Sequence, residues 1–188
     1  MRRNVSSALL IAASAFASSA GLAQQAGTAQ RAELTALDYF EIQQLVARYA
    51  RAIDTCSNNG YDYADLFTPD GAFVAMFNGE PAAVIEGRER LAEVSGGGTR
   101  GCENVPWIEE GVRHLYANHI ITPTAEGASG TVDMLMIGLG GDPNKIEYDG
   151  YYEDTYVRTP DGWRFKRRVH HALLRAGERV EPAAGERQ

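Results

Sequence analysis

Thr35-Ala-Leu-Asp-Tyr-Phe-Glu-Ile-Gln-Gln-Leu-Val-Ala-Arg-Tyr-Ala-Arg-Ala-Ile-Asp54 is the stretch whose reading decides the fold. Thr35-Ala-Leu-Asp38 has the form of a capping box, with Asp in the usual Glu position, and so marks a helix start. Behind it Ile42, Leu45, Val46, Tyr49, Ala50 and Ile53 recur at helical spacing, giving one apolar stripe over about three turns. Asn58-Asn59-Gly60 stops the helix. Asp54 therefore falls at the edge of the buried face, near the helix's C-terminal end.

The chain that follows changes period. A short second helix is expected over 61–66, because Phe67-Thr-Pro-Asp-Gly71 reads as a turn with Pro and Gly in breaker positions. Residues 72–77 read as a strand and Gly87-Arg-Glu-Arg-Leu-Ala-Glu-Val94 as a helix. The long loop from Gly96-Gly97-Gly98 past Cys102 to Trp107 suits a mobile cover over a pocket. Residues 112–122, 128–139, 145–158 and 162–173 carry Val, Ile, Tyr and Thr between Pro, Gly and Asp-Gly turns, which predicts an antiparallel meander. Helical segments followed by a run of strands give an α+β domain over 35–175, with helices on one face of a curved antiparallel sheet. Residues 24–34 read as a flexible lead-in and 176–188 as a fraying tail. The sequence shows no internal repeat and no nucleotide-binding glycine motif.

Met1-Arg-Arg-Asn, the apolar run Ala8 to Ala17 and Gly21-Leu22-Ala23 before Gln24 have the layout of a signal peptide cleaved after Ala23, so a periplasmic or secreted protein is expected. The apolar run is shorter than the roughly 20 residues that span a bilayer, and no membrane association is expected once it is removed. Without Arg2 and Arg3 the chain holds 16 basic against 25 acidic residues, a net charge of −9 that disfavours nucleic acid. Two cysteines, Cys56 and Cys102, could pair in an oxidising compartment, two free thiols being the alternative. Neither has a second Cys or His at ligand spacing, so no metal site is expected.

A carboxylate and an imidazole brought into one pocket form a general acid/base pair, because histidine titrates nearest neutrality. Alternation in Val112-Arg-His-Leu-Tyr-Ala-Asn-His-Ile120 puts His114, Tyr116, Asn118 and Ile120 on one face and Arg113, Leu115, Ala117 and His119 on the other. A pocket under the sheet receives either His114 with Tyr116 and Asn118, or His119 alone. The first set offers a base, a phenol and an amide together. By the same rule Tyr152, Asp154 and Tyr156 share a face, Trp163, Phe165, Val169 and His171 mark the core side of the last strand, and Arg164, Lys166, Arg168 and His170 mark its solvent side.

Glu41 to Asp54, Tyr63-Ala-Asp-Leu-Phe-Thr-Pro-Asp-Gly-Ala-Phe73, Gly87-Arg-Glu-Arg-Leu91, Arg113-His-Leu-Tyr-Ala-Asn118 and Tyr151 to Phe165, in this order and spacing, resemble SnoaL-like domains of the nuclear transport factor 2-like superfamily. The resemblance runs from about Leu34 to about Leu174. It implies a cone-shaped sheet wrapped around N-terminal helices and enclosing a deep, mostly apolar pocket, often in a homodimer built through the outer sheet face. Scytalone dehydratase and hexachlorocyclohexane dehydrochlorinase are similar in polar layout, and their catalytic aspartate and histidine correspond to Asp54 and His114. The resemblance offers Tyr63 for a cavity tyrosine, and Tyr49 with Asp133 for the oxyanion pair of a steroid isomerase.

The resulting expectation is a cofactor-independent lyase or isomerase that abstracts a proton from a small hydrophobic compound, cyclic ones included, through Asp54 and His114. Tyr49, Tyr63, Trp107, Tyr116, Asn118 and Tyr152 would contact the substrate. A non-catalytic module binding a small molecule in the same pocket is the alternative.

Overall fold

The capping box forms in full. In the computed structural model, which describes residues 33–77, 79–138 and 142–172, helix α1 spans Ala36–Thr55. Thr35 Oγ1 accepts the Asp38 N–H at 3.2 Å, and Asp38 Oδ2 accepts the Thr35 N–H at 2.9 Å. Asp38 also accepts the Trp163 indole N–H at 3.1 Å and pairs with Arg158, so the cap doubles as an anchor to the sheet. Its carboxyl is held below its usual range chiefly by the Thr35 hydrogen bonds. Ile42, Leu45, Val46 and Tyr49 form the buried stripe. The expected leader 1–23 and the tail 176–188 lie outside the described residues, as does most of the lead-in 24–34.

Helix α1 ends at Cys56, whose φ of 47° is left-handed, a conformation that commonly closes helices. The chain continues through a 3₁₀ turn, Ser57–Gly60, into α2 (Tyr61–Ala64), then β1 (Phe67–Phe77), β2 (Glu80–Glu86), α3 (Arg88–Val94) and α4 (Pro106–Glu109). Four strands complete it: β3 (Arg113–Pro123), β4 (Ala128–Ile137), β5 (Ile146–Thr159) and β6 (Gly162–Ala172). The sheet order is β2-β1-β6-β5-β4-β3, and β1 runs parallel to β6 while every other pair is antiparallel. The fold is thus α+β as expected, but the sheet is mixed rather than wholly antiparallel. Side-chain period reports that a segment is a strand and carries no information on its direction.

Three further departures have local causes. Phe67–Gly71, expected as a turn, is the first half of β1: Phe67 faces Phe165 and Ala72 faces Arg167, so five steps on β1 oppose two on β6 and the Pro-Asp-Gly signal becomes a bulge. Strand β2 has little strand composition, and its Glu80, Pro81 and Glu86 instead suit an exposed sheet edge. The glycine loop is not a loose cover, since Gly96 and Gly97 are buried. A Cβ on Gly97 would lie 2.1 Å from the Asn59 carbonyl oxygen, so the glycine permits backbone-to-backbone packing.

Two one-residue bulges decide which side chains face α1. On β3, Ala117 opposes Asp133 and Ile120 opposes Thr131, three steps against two, with Asn118 at φ 52°. On β6, Arg167 opposes Thr155 while Phe165 opposes Tyr156. Beyond each bulge the alternation inverts. His119 turns inward and Asn118 outward, while Arg168 and His170 turn inward and Val169 and His171 outward. These placements reverse the sequence expectation for all six residues.

Candidate functional site

Asp54 occupies the last turn of α1, and His114 is the second residue of β3, which lies along that helix. His114 Nδ1 stands 2.5 Å from Asp54 Oδ1, and the His114 backbone N–H donates to Asp54 Oδ2 at 3.1 Å. The carboxylate thus holds both the ring and the strand. With Nδ1–H donated to Asp54, Nε2 carries the free lone pair, the tautomer a general base needs. Both side chains are almost wholly buried, at 3% and 6% exposure, so water competes little for this bond.

The helix end that carries Asp54 is braced from the loop. Cys56 and Cys102 form a disulfide with Cα atoms 6.0 Å apart. The Trp107 indole N–H donates to the Ile53 carbonyl at 3.3 Å, satisfying one of the acceptors that a helix C-terminus leaves open. Trp107 is in this way engaged with the helix end one residue before Asp54.

Between α1 and the sheet, where the resemblance implies a mostly apolar cavity, lies a cluster of aromatic rings around a buried charge. Tyr49 and Tyr63 are fully buried and share a 3.1 Å hydroxyl hydrogen bond. Tyr116 and Tyr152 join Tyr49 in edge contacts at 6.2 and 5.9 Å. Burial pushes the phenols of all four up, keeping them neutral donors. The Arg168 guanidinium carbon lies 3.9 Å from the Tyr152 ring centre, 4.0 Å from Tyr49 and 5.3 Å from Tyr116. Arg168 Nε is 3.5 Å from Asp154 Oδ1, an ion pair without hydrogen-bond geometry.

A second hydrogen-bonded row runs from this charge toward the edge of the sheet. Tyr156 donates to Asp154 Oδ2 at 2.7 Å, and His119 Nε2 lies 3.0 Å from the Tyr156 hydroxyl. Burial raises Asp154 to about 6 despite Arg168 and Tyr156, and lowers His119 to about 4, with Arg168 adding to the latter shift. His170, whose ring lies tilted against Tyr152 at 5.0 Å, is likewise lowered to about 4, by burial first. His119 opens onto a cleft of about 270 Å³ between α1 and β3, lined also by Gln43, Val46, Ala47, Tyr116, Ala117, Asn118 and Val132.

Of the residues singled out from sequence, Asp54, His114, Tyr49, Tyr63, Tyr116 and Tyr152 converge on the interior. Asn118 does not. It is exposed at the rim of the cleft that Tyr116 and His119 line, and it donates to Asp133 Oδ2 at 2.7 Å, because the bulge at its own position turns it away from His114. That bond also ties up Asp133 away from Tyr49, so the two make no oxyanion pair. Unbroken alternation puts Arg168 and His119 on the wrong faces, and the sequence carries one signal for Arg168: Lys166-Arg167-Arg168 is three consecutive cations, which strict alternation cannot keep wholly in solvent. Among the described residues, no three His, Cys, Asp or Glu side chains gather as a metal site.

Comparisons with known proteins agree with this geometry at the level of the fold. The uncharacterized proteins Rv2910c of Mycobacterium tuberculosis and Mb2934c of Mycobacterium bovis are each 33% identical over 140 residues, covering 70% of this chain and 83% of theirs. A candidate scytalone dehydratase from Novosphingobium aromaticivorans superposes with a TM-score of 0.55 at 22% identity, over 80% of this chain and 96% of that one. A Catenulispora acidiphila protein solved in complex with S-DNPA superposes with a TM-score of 0.54 at 27% identity, over 72% and 95%. An NTF2-like protein with a cystatin-like fold from Novosphingobium aromaticivorans gives 0.60 at 23%, over 73% and 82%. The sequence profile of the SnoaL-like domain matches residues 34–169, a span that holds both the aspartate-bearing helix and the histidine-bearing strand, and the chain belongs to the SnoaL-like domain family.

Proposed function

We propose that the protein is a cofactor-independent lyase or isomerase acting on a small hydrophobic, cyclic compound. The fold it shares includes isomerases and dehydratases. The observation that carries the reading is the 2.5 Å contact between Asp54 Oδ1 and His114 Nδ1 in a buried setting. His114 Nε2 removes a proton from carbon. In an elimination the C–H electron pair forms the new double bond, the leaving group departs with the pair of its own bond, and the imidazolium returns the proton to it; in an isomerisation no group leaves, the C–H pair moves into an adjacent carbonyl or double bond, and the imidazolium returns the proton to another carbon. Asp54 fixes the tautomer and stabilises the imidazolium, and the neutral tyrosines donate toward the charge that develops. A base so positioned contributes roughly 10² to 10⁴-fold.

The test is turnover by wild type, His114→Ala and Asp54→Asn, on compounds first selected by thermal shift. Loss of turnover with retained ligand affinity is expected for both variants. If both process and bind every selected ligand as wild type does, the dyad mechanism is wrong.

Export and self-association complete the reading. The disulfide supports an oxidising compartment, and intact-mass analysis of protein from a native exporting host should find Gln24 at the N-terminus. Leu115 and Ile120, 48% and 64% exposed on the outer side of β3, support a homodimer through that face, with light scattering as the check.

A further inference from the structure

We propose that the ligand of this interior carries a carboxylate, which docks on the Arg168 guanidinium with its ring in the cleft beside Tyr116. This rests on the proposed function above, in which a small hydrophobic compound meets His114. Arg168 is fully buried, and none of Nε, Nη1 and Nη2 makes a hydrogen bond. Buried guanidinium groups are ordinarily paired through their N–H donors, because their desolvation is otherwise uncompensated. Asp154 offsets the charge at 3.5 Å but takes none of the five N–H groups.

The surroundings say what kind of acceptor is missing. Tyr152, Tyr49 and Phe165 lie 3.9, 4.0 and 4.6 Å from the guanidinium carbon, and rings of this kind attract a cation through their faces without accepting its N–H groups as an anion does. Nη1 and Nη2 together form the fork that a two-oxygen acceptor matches in a bidentate pair, which one enolate or phenolate oxygen does not. The Tyr116 hydroxyl is also buried without a hydrogen bond, 5.3 Å separating its ring centre from the guanidinium carbon, and it supplies a third donor. Tyr116 is at the same time a wall of the 270 Å³ cleft, where Val46, Ala47, Ala117 and Val132 supply apolar surface beside the polar Gln43, Asn118 and His119. Arg168 lies outside the cleft lining, so a ring-bearing monocarboxylate would set its ring against the apolar part of the cleft and reach the guanidinium with its charge only as the Tyr116 ring moves aside. His114, two residues from Tyr116 and on the same face, then meets the ligand from the side.

The test measures binding, not turnover, so that it is independent of the dyad. Benzoate, benzamide and 4-nitrophenolate are titrated into the full chain by calorimetry, with wild type, His114→Ala, Arg168→Met and Arg168→Lys. Benzoate should bind wild type and His114→Ala roughly ten-fold or more tighter than benzamide, as expected for charged hydrogen bonds. Arg168→Met should lose that preference, and Arg168→Lys should keep only part of it. Should Arg168→Met fail to fold, the Arg168 Nε–Hε cross-peak of the wild-type protein serves instead, and it should shift on adding benzoate and not benzamide. Equal affinity for benzoate and benzamide, 4-nitrophenolate binding as tightly as benzoate, or an unmoved Arg168 cross-peak overturns the proposal. Benzoate binding at Arg168 with turnover indifferent to His114 would overturn the dyad reading alone.

Discussion

At the scale of single residues, burial sets charge more strongly here than sequence context does. His119 and His170 both have their pKa lowered to about 4, so the folded protein binds fewer protons on them than the unfolded chain does between pH 4 and 6.5. Stability from these two groups is present above pH 6.5 and is lost as pH falls through 4. Asp154 works the other way: with its pKa raised to about 6, it takes up a proton in the folded state first, so its contribution declines as pH rises from about 4 to 6. Two histidines against one carboxyl leave a net rise in stability with pH across this window. Thermal melts from pH 4 to 7 should therefore show Tm climbing, and His170→Asn should flatten the climb. A flat wild-type profile would mean that the imidazoles are solvated, contrary to their packing.

At the scale of elements, legibility follows how local the cause is. Helix α1 was readable to its boundaries because its cap and stripe lie within its own sequence, and Asp54 could be placed on it for the same reason. The four strands of the meander were readable as strands. Alternation gives their faces only as far as the first bulge, and so it locates His114 and Tyr116 and misplaces Asn118, His119 and Arg168. A bulge is a property of two paired strands, and alternation within one strand does not encode it. Asn118 does leave a trace of its own, since Asn is among the few residues that accept a left-handed backbone. Asn118→Gly should accordingly keep the bulge and most of the stability. Asn118→Val, with a branched Cβ at φ 52°, should cost about 1–2 kcal/mol in a denaturant titration. Equal stability of the two variants would show that the bulge is held by its partner strand alone.

At the scale of the whole molecule, α1 is fixed to the rest of the chain at both ends by different chemistry. Its start is tied through Asp38 to Arg158 and Trp163 on the last two strands, and its end through Asp54 to His114 and through Cys56 to Cys102. The disulfide closes a separation of 46 residues that includes β1, β2 and α3, which is most of the chain between the helix and the meander. Constraining a loop of that length in the unfolded chain is worth about 4 kcal/mol in the chain-entropy model. The Cys56→Ser, Cys102→Ser double variant should therefore unfold at markedly lower denaturant. Below its transition it should keep the Asp54–His114 hydrogen bond, because the carboxylate also holds the His114 backbone N–H and does not depend on the cross-link to find it. The imidazole Nδ1–H resonance, expected far downfield in wild type, is the measurement that separates the two effects. Its disappearance in folded double variant would show that the disulfide positions the dyad as well as stabilising the fold, and the oxidising compartment would then be a condition of the site's geometry.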